Sequence, residues 1–127
     1  MIRALLLALI CMPATGFTSD LDLGKKAYWK GDFSAAADAY RRAVNTSGNI
    51  PDLWFNLGTA EASAGRYGHA VHAFEQALSL KPGDAGATHN LEIVRGAILD
   101  QALKSSGAEK LVLPGDDDVG TGLLSQT

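Results

Sequence analysis

The sequence predicts an all-α fold, a short α-solenoid of two helical hairpins followed by a C-terminal capping helix. Three observations carry that expectation. The chain resembles itself at an offset of 34 residues, which lays Leu23, Gly24, Gly31, Ala36, Tyr40 and Ala43 over Leu57, Gly58, Gly65, Ala70, Phe74 and Ala77. Apolar residues recur at helical spacings of three and four, first as Trp54, Leu57, Ala60 and Ala64, then as Ala70, Val71, Phe74, Ala77 and Leu78. Gly65 and Pro82 stand where those two stripes must stop, a glycine for the left-handed residue after a helix and a proline that cannot continue one.

The elements follow in chain order. Arg3 and the apolar run from Ala4 to Met12 precede Ala14-Thr15-Gly16, with small residues at the −3 and −1 places of a cleavage site. Nine apolar residues are too few for a membrane-spanning helix, which needs about 20. Residues 1–16 are therefore expected to be a secretory signal peptide cut between Gly16 and Phe17, with an uncleaved apolar start as the alternative. Cleavage would remove Cys11, the single cysteine, and shift the charge from −3 to −4, since 10 basic residues then face 14 acidic ones. A chain without a thiol suits an oxidising compartment such as a periplasm.

Residues 17–50 form the first repeat. Asp20 stands where the second repeat has Trp54, so the opening helix has a thin apolar stripe, as a terminal repeat with one wet face tolerates. Lys30-Gly31-Asp32-Phe33 is the turn of this hairpin, with Asp32 as N-cap, and Asn45 to Asn49 is expected to be the polar loop to the next. Residues 51–84 form the second repeat. Gly58 inside a helix costs about 1 kcal/mol relative to alanine, which makes sense if the following helix crosses close by, with Ala70 as the small facing residue. Gly24 and Ala36 are expected to meet likewise.

Residues 85–105 are the capping helix. Asp84 is its N-cap, and Ala87, Leu91, Val94, Ile98 and Ala102 form the side expected to cover the second repeat. Residues 106–127 contain Asp116-Asp117-Asp118 and several glycines and are expected to be a flexible acidic tail. The alternative is a strip that docks in a groove through Leu111, Val112 and Leu113.

Residues 51–84 resemble one complete tetratricopeptide repeat. Trp54, Leu57, Gly58, Ala70, Phe74, Ala77 and Pro82 match its 34-residue pattern, and Glu61, where a large apolar residue is usual, departs from it. More narrowly, the exported start, the run Asp52-Leu53-Trp54-Phe55-Asn56-Leu57-Gly58 and the run from His89 to Arg95 resemble the tetratricopeptide protein of bacterial aerotolerance operons. That resemblance implies an envelope scaffold beside von Willebrand A-type membrane proteins and a MoxR-type ATPase. Members of that family commonly carry membrane-spanning helices after the repeats, and none is expected in this chain.

The family also implies where a partner would sit. The inner faces of the first helices line a groove, supplied here by Leu21, Asp22, Lys25, Tyr28, Trp29, Phe55, Asn56, Thr59, His89 and Asn90. Aromatics with a few hydrogen-bonding groups suit a peptide or helix. The carboxylate clamp of some relatives is not expected, because Asp22 stands where a clamp partner would be.

Other functions find little support. The slight acidity and the lack of a basic stripe argue against nucleic acid. No phosphate loop, nucleophile motif or carboxylate pair is found, so the chain is expected to be non-enzymatic and without cofactor. The alternative is a metal carrier: His69 and His72 stand three apart on a helix, with Glu75 a turn on and His89 as a further candidate.

Overall fold

The structure, a computed structural model, describes residues 19–107. The proposed cleavage site and the acidic tail lie outside the described residues. Five helices follow one another: α1 (Asp20–Trp29), α2 (Phe33–Ser47), α3 (Pro51–Ser63), α4 (Tyr67–Leu80) and α5 (Ala85–Ser105), with no strand among the described residues. Each packs on the next, so α1/α2 and α3/α4 are hairpins and α5 lies against the second. This is the predicted short helical solenoid.

Local chemistry sets the ends. Ser19, Asp32 and Asp84 each accept a bond from a backbone N–H of the first turn they cap, at 3.2, 3.0 and 3.0 Å. Pro51 opens α3, where a missing N–H costs nothing. Gly31 and Gly65 carry φ of 79° and 75° between paired helices, the left-handed conformation that needs no side chain. Leu99 is their counterpart one repeat later, and there α5 runs straight on.

The core is a layer of small residues with two rings. Ala36, Ala37, Leu53, Leu57, Ala60 and Ala73 join the hairpins, and Ala70, Ala77, Ala87, Leu91 and Val94 seat α5. Tyr40 and Phe74 are the buried rings. Full burial of a residue like Phe74 stabilises by about 1.5–3 kcal/mol. Burial, with Tyr28 nearby, pushes the Tyr40 phenol above its ordinary pKa.

Three expectations need correction. The group nearest Gly58 is the ring of Phe74 rather than Ala70, and the group nearest Gly24 is the ring of Tyr40 rather than Ala36. The glycines are seats for aromatic rings. Asn45 to Ser47 continue α2, with the Thr46 hydroxyl bonded back to the Arg42 carbonyl at 2.9 Å, so the loop shrinks to Gly48–Ile50. The repeats also differ at a place where no burial was expected of the first, since Leu23 is 40% exposed on α1 while its counterpart Leu57 is buried. Finally, α5 covers the second repeat only as far as Val94, while Ile98 and Ala102 are exposed. With 21 residues against the 14 of α4, it outruns the helix beneath it.

Glu61, where the repeat pattern has a large apolar residue, is buried. It is 1% exposed and holds two arginines: Arg41 of α2, whose Nη2 donates to Oε1, and Arg66, whose Nε stands 3.0 Å from Oε2 without the alignment of a hydrogen bond. One repeat on, the same two places are Glu75 and Arg95, paired at 2.9 Å with the charges exchanged.

Candidate partner-binding face

Among the described residues, two hollows lie on the face formed by α1, α3 and α5. The larger, about 540 Å³, opens between α1 and the start of α3 over the end of α2. Leu21, Ala43, Ile50 and Leu53 make its apolar floor, and Lys25 and Asn56 stand at it as polar groups. The smaller, about 160 Å³, lies between α3 and α5 and is lined by Thr59, Ala62, Phe74, Asn90 and Val94.

The groove residues therefore divide. Lys25 and Asn56 meet at the first hollow, and Thr59 and Asn90 at the second. Tyr28 and Phe55 are drawn into the packing. Tyr28 meets Phe33 edge-on at 5.1 Å, with its hydroxyl 3.5 Å from Ser63 Oγ, and Phe55 meets Phe74 edge-on at 5.9 Å. Trp29, 87% exposed at the end of α1, and His89, exposed on α5, line neither hollow. Asp22 is exposed and bonded to Ser19, an N-terminal capping arrangement. Ile50 was not among the sequence candidates, although it is 44% exposed at the larger hollow. Its signal was a lone isoleucine beside Pro51 in a polar loop.

Asp20 at the first hollow is paired to Arg42 at 2.9 Å, and Asp52 makes no ion pair among the described residues. Lys25 makes no ion pair among the described residues.

A third hollow, about 170 Å³, lies between α2, α3 and α4, with Arg41, Trp54, Glu61, His69 and His72 around it. The His72 ring meets Trp54 edge-on at 5.9 Å. Among the described residues the buried Trp54 indole N–H has no partner, and no three of His, Cys, Asp and Glu stand close enough to share a metal ion. His69 and His72 thus gain no third ligand from Glu75 or His89 there. No helix among the described residues is long and apolar enough to cross a membrane.

Comparison with known proteins agrees with the helical hairpin at residues 51–84. The chain is 34% identical over 73 residues to the peroxisomal targeting signal receptors of Saccharomyces cerevisiae and Kluyveromyces lactis, and 32% identical over 73 residues to that of Candida glabrata. Each alignment covers 58% of this chain but only 12–13% of the relative, so the chain spans about an eighth of the length of the curated relatives it matches. Residues 51–84 match the family described as tetratricopeptide repeat. The chain carries a tetratricopeptide repeat at 51–84, stacked between a hairpin that repeats its glycine–aromatic seat and a single closing helix.

Proposed function

We propose that the protein is a non-enzymatic interaction scaffold that holds a peptide or helix of a partner protein on the α1–α3–α5 face. The observation that supports it most is the pair of hollows on that face, each an apolar floor with an amide side chain, Asn56 or Asn90, beside it. Such a surface offers area for side chains and both donor and acceptor groups for a main chain. The curated relatives are targeting-signal receptors by name, which supports recognition of a protein segment and no particular cargo for this chain.

The scaffold works in the bacterial cell envelope, exported by residues 1–16, beside von Willebrand A-type proteins of an aerotolerance-type complex. This context rests on the leader-like start and on the runs 52–58 and 89–95.

A benzophenone side chain placed at Thr59 tests the site. It should crosslink a discrete partner in envelope extract, while the same group at Ser79, exposed on α4, should not. Equal crosslinking from both places would remove the face from the proposal. A fusion of residues 1–20 to an export-dependent reporter tests the location, and a reporter that stays in the cytoplasm would overturn it.

A further inference from the structure

Three charged residues line the larger hollow, and two of them are unpaired. Asp20 has Arg42, while Lys25 on α1 and Asp52 in the first turn of α3 make no ion pair among the described residues, neither with each other nor with a third group. The two carry opposite signs and stand on the two helices that bound the hollow. Leu21, Ile50 and Leu53 form the apolar floor, and half-buried Asn56 offers both an amide N–H and a carbonyl beside it.

The fold does not require this pair of charges. One repeat on, the places of Lys25 and Asp52 are Thr59 and Gly86, both uncharged, whereas Asn56 is matched by Asn90. The contact between α3 and α5 thus forms without either charge. Asp52 also suits the positive end of α3, but the helix dipole does not account for Lys25. A hollow of about 540 Å³ with a cation on one bounding helix and an anion on the other is complementary to a segment of mixed charge. A uniformly acidic or basic segment would set one of its charges against a like charge.

We infer that the hollow between α1 and α3 takes a partner segment in which an apolar side chain lies between one acidic and one basic residue, the acid paired with Lys25 and the base with Asp52. The inference rests on the proposed role of the α1–α3–α5 face and narrows it. Its test uses the full chain, labelled with nitrogen-15 and titrated with end-blocked peptides of a central leucine. The leucine is flanked by glutamate on one side and lysine on the other, by two glutamates, or by two lysines. The mixed peptide should shift the amides of Leu21, Lys25, Leu53 and Asn56 and bind about fivefold or more tightly than either uniform one. Serine in place of its leucine should weaken it about tenfold.

Lys25→Glu should move the tightest binding to the two-lysine peptide, Asp52→Lys should move it to the two-glutamate peptide, and the two changes together should restore the mixed one. Asp52→Asn, a milder change in the first turn of α3, should bind the mixed and two-glutamate peptides about equally, whatever the effect of Asp52→Lys on folding.

Equal binding of the three peptides, or a preference that the exchanged charges leave unmoved, would overturn the inference. So would contacts from the hollow to residues of this chain that precede Ser19, because the occupant would then be its own. Shifts confined to Thr59 and Asn90, or no shift while Thr59 still crosslinks its partner, would overturn the inference and leave the wider role standing. Loss of the crosslink as well would take both.

Discussion

Phe74 lays its ring across Gly58 so closely that a β-carbon there would sit 2.7 Å from Cε1. Sixteen residues separate the two, and the same separation puts the Tyr40 ring over Gly24 at 2.6 Å. Gly58→Ala should therefore destabilise the fold by about 1–3 kcal/mol through overpacking, despite the alanine's helix propensity. Adding Phe74→Leu should recover part of the loss. Urea unfolding followed by circular dichroism measures both, and a stabilised single variant would refute the account.

The carboxylate of Glu61 is enclosed while its arginines are partly in water. Removing both, as Arg41→Met with Arg66→Met, leaves that carboxylate without a counter-ion and should cost about 3–5 kcal/mol. Either single change should cost clearly less, because the other arginine stays. Unfolding midpoints of the three variants give the comparison.

Asp84 caps α5 and pairs with Lys81 at 2.9 Å, and these bonds, the lysine's first and the Ala87 N–H next, hold its carboxyl below the ordinary aspartate range. A depressed folded-state pKa means that the contribution is complete above the unfolded value of 3.8 and fades as pH falls through the lower folded one. The Ala87 amide resonance should titrate below that value. Asp84→Asn, which can still cap, should lose the titration and keep the helix. An Ala87 midpoint above the ordinary aspartate value would contradict the assignment.

The two ends of α5 should respond differently to mutation. Leu91→Ala empties a buried site and should cost about 2–5 kcal/mol. Leu99, 60% exposed beyond the end of the packed region, should tolerate serine within about 0.5 kcal/mol. Amide exchange should be fast from residue 99 onward and slow around Leu91.

Helix count, hairpin order and the turn glycines were legible because each rests on local chemistry: a stripe at helical spacing, a capping oxygen, a residue able to take positive φ. The partners of Gly24 and Gly58 were not, since a spacing shows that two helices meet but not which side chain fills the contact. Asn45 to Ser47 look like a loop by composition, yet their backbone bonds continue α2. The repeat pattern sets the inner sides of α1, α3 and α5 on one face. How its residues divide was not legible, because Phe55 is drawn inward by contacts with other helices, the Phe74 ring of α4 among them, that its own spacing does not show. Ile50 was passed over for the same reason: its role arises only when three helix ends converge.

The exchanged charges at Arg41–Glu61 and Glu75–Arg95 have a consequence for assembly. If α5 of one molecule were to lie on α2 of another, Arg95 would face Arg41 and repel it. Each junction thus carries a polarity that only its rightful neighbour matches, and the pieces of this protein are keyed to a single order rather than left interchangeable.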